Sequence, residues 1–372
     1  IGQNSSLTQS ETLYLGVEEQ LEVATRITSD GKVAFFQVDG LDTVFEESLL
    51  TTPGQQLVKV AESDSDPQLL ALLADDGSVQ TLRKVFETDF SDGVENRRIR
   101  PSVELQDGPY WRPLADGGSV LDLSFSSSDS AMVIAVLSED QLFVEYGTLS
   151  QNFLTGESTL ESRRLETTLE PGATRVAVSG NQRWIYVGDE SGQIRRYDVP
   201  SLTQSGVVKA SEGAITALQM LLGGISVLAG DENGRIAQLF PVRDSNDEFQ
   251  LTLIRDFEAQ DGPITRIQTE YRRKGFIALD TENQLGIYHS TAGQRVLLEP
   301  LPPSRPEAIA LGPRANGLLT LGNDGNAYFL DLDNKHPEIS LSSLWGKVWY
   351  ENYEEPAHIW QSSSASNDFE PK

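Results

Sequence analysis

Hydrophobic and polar positions alternate along most of this chain with a period of two. Four stretches show it best: residues 174–199 ("TRVAVSGNQRWIYVGDESGQIRRYDV"), 214–242 ("AITALQMLLGGISVLAGDENGRIAQLFPV"), 264–288 ("ITRIQTEYRRKGFIALDTENQLGIY") and 308–331 ("AIALGPRANGLLTLGNDGNAYFLD"). Each reads as an alternating apolar strand, a polar turn, a second apolar strand, an acidic turn and a third strand. Side chains of a strand point alternately to its two faces, so this pattern, with Asp, Asn and Gly at the turns, predicts antiparallel hairpins. Helical periodicity is nearly absent. At most one short helix is predicted, within 341–353, with Ser340 or Ser342 as its cap.

The acidic turn serves as a ruler. It recurs at Gly31, Gly77, Gln141, Gly192, Gly234, Gln284 and Gly325, at intervals of 41 to 64 residues. Seven units of about 49 residues fit an all-β fold, a seven-bladed β-propeller with four strands per blade. A single four-stranded sheet cannot bury both its faces; packing blades radially does so and leaves only short outer edges. The longest interval, Gly77 to Gln141, contains residues 86–113, read as an outer strand with long loops. Residues 12–17 either open the first blade or zip into the last. The propeller is assigned to residues 1–341, and the non-repeating residues 342–372 to a C-terminal connector.

The repeats resemble degenerate WD40 units. Tyr197-Asp198 and Leu330-Asp331 stand where that family has Trp-Asp, and "SEGAIT" and "QDGPIT" where it has Gly-His before the innermost strand. The His is missing from every unit, so the family's buried His–Asp network is not carried over. The resemblance spans roughly residues 10–342 and speaks to fold, not to function.

Composition narrows the partners. The formal net charge is −27, from 56 acidic and 29 basic residues, so nucleic acid and anionic membrane surfaces are repelled over most of the molecule. There are no cysteines, which excludes disulfides, thiolate metal sites and Cys nucleophiles. No apolar run reaches the ~18 residues of a membrane span, and no signal peptide is evident. A chain beginning at Ile1 reads as a fragment of something longer.

No catalytic, metal or cofactor site is expected. His289, His336 and His358 are scattered without ligand spacing. "DSDSDP" around Asp64 and Asp66 lacks the Gly and distal Glu of a calcium loop, and reads as turn caps. There is no nucleophile elbow, P-loop or dinucleotide fingerprint. Two basic clusters interrupt the acidity: Arg97, Arg98 and Arg100, and Arg272, Arg273 and Lys274. They read first as neutralising nearby carboxylates. With Trp111 and Arg112 on the long loop, Arg97, Arg98 and Arg100 are candidate partner contacts.

The aromatic segment "LWGKVWYENYEEPAHIW" (344–360) carries Trp345, Trp349, Tyr350 and Trp360, and Phe369 follows. Trp and Tyr favour the boundary between headgroups and water. Leu344–Glu351, Pro356, Trp360–Ser364 and Asp368–Lys372 closely resemble a segment of phosphate-type ABC transporter permeases. There a large extracytoplasmic insertion ends in this sequence shortly before the next transmembrane helix. The resemblance implies a propeller inserted between membrane helices, on the periplasmic side of the bacterial inner membrane. Its implied partners are the transmembrane permease core of the same chain, and the ATP-binding subunit and substrate-binding protein of the transporter. Trp345, Trp349, Tyr350, Trp360 and Phe369 then form a membrane-proximal connector, expected to fold back on the propeller's side or bottom, or to become disordered after about Trp360. The propeller would dock partners without catalysing a reaction or binding free phosphate. Two other classes stand open: a free-standing periplasmic scaffold for envelope assembly, and a propeller enzyme such as a lactonase or dehydrogenase.

Overall fold

The structure is a computed structural model. It describes residues 2–3, 10–38, 41–50, 52, 54–91, 98–105, 113, 119–128, 130–151, 158–271, 275–301, 306–312, 317–322 and 326–331. Within them, twenty-eight strands form seven antiparallel four-stranded sheets, one per blade. The innermost strands of blades 1 to 7 are Thr12–Val17, Leu57–Glu62, Asp122–Ser127, Ala173–Val178, Ile215–Met220, Ile264–Thr269 and Pro306–Leu311. Residues 12–17 therefore open blade 1. The ring is closed by Gly2–Gln3, which pairs antiparallel with Asn326–Asp331 and supplies the fourth strand of blade 7. The long Gly77–Gln141 interval contains the expected outer strand, Arg98–Leu105.

The core is divided into seven layers, one between each pair of neighbouring blades. Val33, Phe35, Leu70 and Leu82 fill the layer between blades 1 and 2, and Ile134, Val136, Leu73 and Val79 the next. Leu15, Val17 and Phe36 of blade 1 meet Leu319 and Leu321 of blade 7, so the closing seam has an apolar layer of its own. Five of the seven second strands are buried along their whole length, among them Trp184–Asp189, Gly275–Asp280 and Gly317–Gly322, because both faces of a blade meet another blade. That explains the apolar runs.

Six of the seven innermost strands carry a bulge at the same place, one residue after the strand begins. A bulge adds local twist, which suits strands converging on an axis. It also brings Tyr14, Lys59, Arg175, Ala217, Arg266 and Ala308 to one register position on successive blades.

The ruler turns join the second and third strands, and their acidic residue works as a cap. Asp189 Oδ1 accepts from the amides of Ser191 and Gln193 (both 2.9 Å), and Asp231 Oδ1 from those of Asn233 (2.9 Å) and Arg235 (2.7 Å). Gly192 and Gly234 close these turns at φ +78° and +80°, and each backs onto main-chain carbonyls entering the next blade. In blade 6 the left-handed residue is Asn283 (φ 65°), one position before the Gln284 used as ruler.

Candidate functional site

A propeller's innermost strands present a free edge to the axis, with backbone groups that need partners. Here side chains of the neighbouring blade supply several. Asp122 Oδ2 accepts from the Val176 amide (3.0 Å) and Ser124 Oγ from that of Val178 (2.9 Å). Gln268 donates to the Ile309 carbonyl (3.0 Å) and accepts from the Leu311 amide (3.1 Å). Arg175 Nε donates to the Thr216 carbonyl (2.7 Å).

The two ends of the channel differ. The face where the chain enters the innermost strands is termed the inlet face, and the face where those strands end the outlet face. At the outlet face the end of the innermost strand of blade 2, with the segment after it, reaches across the axis. Glu62 Oε2 accepts from the Tyr14 hydroxyl of blade 1, and Oε1 from the Tyr271 hydroxyl of blade 6. Lys84 Nζ lies 3.4 Å from Glu62 Oε2 and also donates to the Tyr14 hydroxyl. Asp64 Oδ1 accepts from Gln219 of blade 5 at 2.9 Å. Tyr14 reaches the plug by lying along its own strand over Gly16, where a Cβ would collide with its ring. Four blades are thus tied together by one segment of blade 2.

The electrostatics follow from enclosure. Burial, then the charge of Glu62 and the hydrogen bond to it, push both tyrosine hydroxyls well above their usual range. Burial, with Glu62 beside it, pushes the Asp64 carboxyl well above the carboxylate range, against the Gln219 hydrogen bond. Burial lowers Lys84, and Glu62 opposes it. Two tyrosine O–H groups and one ammonium around a single carboxylate are charge-assisted bonds that hold each other in place.

Sequence reading placed Asp64 and Asp66 together as turn caps. Asp66 is one: it accepts from the Gln68 amide (3.0 Å) and pairs with Arg83 (3.1 Å). Asp64 is instead a cross-channel ligand, a correction that depends on Gln219, 155 residues away. The missing WD40 histidine also has a substitute in blade 5, where buried Ser211 donates to Asp231. In blade 4 the buried partner of Asp189 is Arg195. Burial alone would raise Asp189, but its bonds from Ser191, Gln193 and Arg195 hold it below the usual range.

Of the candidate contacts, Arg98 and Arg100 lie on the outermost strand of blade 2, opposite Asp89 and Glu87, and Arg100 is ion-paired with Asp89. That is the neutralising role. Arg97, Trp111, Arg112, Arg272, Arg273, Lys274, His336, His358 and the connector residues Trp345, Trp349, Tyr350, Trp360 and Phe369 lie outside the described residues, as does the helix expected within 341–353. His289 ends the third strand of blade 6, where Nδ1 accepts from the Ala292 amide (3.3 Å) and burial lowers its pKa. Among the described residues, no three His, Cys, Asp or Glu side chains gather as metal ligands, and no helix is long and apolar enough to cross a membrane.

No protein-family profile matches the chain, and no curated protein matches it. Solved structures do. The β-propeller domain of Cps50 (Swd1) from Myceliophteria thermophila aligns with a TM-score of 0.61 at 14% identity, over 87% of this chain and 98% of that one. Raptor from Chaetomium thermophilum aligns at 0.58 and 13% identity, over 90% of this chain but only 29% of that one. Likeness at this identity concerns the fold alone: the chain is an all-β, WD40-like, seven-bladed propeller.

Proposed function

We propose that this propeller is the extracytoplasmic domain of a phosphate-type ABC transporter permease, and that it acts as a non-catalytic docking platform on the periplasmic side of the bacterial inner membrane. The observation that carries the reading is the position of the two ends. Gly2 pairs with Ala327, and the last strand ends at Asp331. Asp331 ends at the outlet face, and antiparallel pairing points the outer end of the Gly2 strand towards that same face, so two flanking membrane helices would leave from one blade. The resemblance of residues 344–372 to the permease segment supplies the transporter. The outlet face then looks towards the membrane, and the inlet face outward, towards the substrate-binding protein.

The plugged channel favours a platform over a conduit. Glu62, Asp64, Tyr14, Tyr271 and Lys84 block the axis at the membrane-facing end, so solute would pass through the helices and not through the propeller. Two experiments test the reading. Sequence on either side of this segment should encode apolar helices; their absence refutes the transporter context. Photo-crosslinkers placed on the inlet face should capture the cognate binding protein in cells; their repeated failure removes the docking role and leaves the topology standing.

A further inference from the structure

Lys59, Arg175 and Arg266 occupy the same register position in blades 2, 4 and 6, directly after the innermost-strand bulge. Two of them are satisfied by the next blade. Lys59 lies 3.9 Å from Asp122. Arg175 donates to the Thr216 carbonyl and, through Nη1, to that of Thr174 (both 2.7 Å). Arg266 has neither arrangement: its guanidinium makes no hydrogen bond or ion pair with any described residue. It lines a cleft of about 180 Å³ at the inlet face, between the innermost strands of blades 6 and 7. A guanidinium stays protonated, so a partly buried one without an anion carries an uncompensated desolvation cost.

The same cleft holds an unmet acceptor. Asn283 lines it, and its Oδ1 is buried without a partner. Its Nδ2 donates to the Leu301 carbonyl (3.4 Å), which leaves the oxygen enclosed and unpaired beside the cleft, so a small turn of the side chain is needed to bring Oδ1 to a ligand. Glu307 and Asp280 also line the cleft. Two carboxylates disfavour a dianion such as phosphate there. They repel a monoanion less, and they favour one that brings a donor with it.

We propose that the cleft between blades 6 and 7 binds a carboxylate that carries an N–H group beside it, as an amino acid or an acidic residue of a peptide presents, with Arg266 gripping the carboxylate and Asn283 accepting the N–H. The site does not depend on the transporter reading; only the source of its ligand would. Bidentate pairing is what Arg offers a carboxylate and Lys does not.

The test uses residues 1–372 as they stand, with two probes: L-glutamate, and glutamate blocked at both ends as its N-acetyl N-methylamide. Binding is read by calorimetry and by the Arg266 Nε–H resonance. Saturable binding of one probe, a moved Arg266 resonance, and affinity weakened about tenfold or more in Arg266→Gln are expected. If the blocked compound binds best, the ligand is a peptide residue; if free glutamate does, it is an amino acid. No binding of either probe, an unmoved Arg266 resonance, equal affinity for inorganic phosphate, or unchanged affinity in Arg266→Gln overturns the proposal. The resonance is read on the unsubstituted protein, so a folding defect in the variant cannot hide the answer.

Discussion

Glu62 is held by two tyrosines from two other blades and by Lys84, whose side chain is 6% exposed. Removing one partner of such a group leaves the others buried and unpaired. Glu62→Gln should therefore lower stability by about 2 kcal/mol, less than for a fully buried pair because a quarter of the Glu62 side chain meets solvent. Denaturant unfolding measures this; an unchanged midpoint would show that the plug is not under load. Asp64 acts the other way. Its folded-state pKa is raised, so its contribution to stability is full below the ordinary carboxyl pKa of about 4 and is lost as pH rises through the folded value. Asp64→Asn keeps an acceptor for Gln219 and removes the charge facing Glu62 and Tyr271. Its thermal midpoint should exceed that of the parent by a margin that widens from pH 4 to pH 8; a constant or shrinking margin contradicts the assignment. Nothing in "DSDSDP" itself separates Asp64 from Asp66, since both suit a turn, and only the opposite blade distinguishes them. Arg266 was equally hidden, because its distinction from Arg175 is a missing bond to the next blade.

Turns and strands were far more legible. The ruler worked because its closing residue answers to local rules: a left-handed φ and no room for Cβ. Gly192 meets the Ser211 and Gly213 carbonyls where the chain passes to blade 5. Gly192→Ala should therefore cost of order 1–3 kcal/mol. The same change at exposed Gly54, whose Cβ would meet nothing, should cost less despite its φ of +84°. Equal losses in paired thermal melts would mean that φ alone, and not the carbonyls, sets the penalty. The ruler slipped by two residues in blade 3, where Glu139 is the left-handed residue, and by one in blade 6, where Asn283 takes the place of glycine; Asn tolerates this conformation through its short polar side chain. Alternation identified the innermost strands, but their bulges left no sequence mark, because a bulge is a relation between two strands.

At the scale of the ring, stability is a sum of seven interfaces, each contacting only its neighbours. Among the described residues, the seam between blades 7 and 1 sets the small residues Ala24, Ala308, Ala310 and Ala327 among leucines and valines, with Phe36 as the one aromatic ring of its buried cluster. Phe36→Ala should open a cavity there and cost roughly 3–5 kcal/mol, and hydrogen exchange should rise first in blades 1 and 7. Protection lost evenly around the ring would instead indicate one cooperative unit. How the ring closes was not readable in advance: two residues at one end and six at the other form no pattern until the circle brings them together.

That closure also sets how the molecule bears tension. Gly2–Gln3 and Asn326–Asp331 run antiparallel, so their outer ends point the same way, although Gly2 lies level with Ala327 and not with Asp331. A pull between those ends loads the hydrogen bonds one after another, as a zipper is loaded, and not together as in shear. If the domain hangs between two membrane helices, their drifting apart would peel Gly2–Gln3 away at low force and leave blade 7 with three strands. The other six blades would feel little of it. Blade 7 would act as a mechanical fuse, and the apolar seam behind it would hold the circle while the bilayer moves.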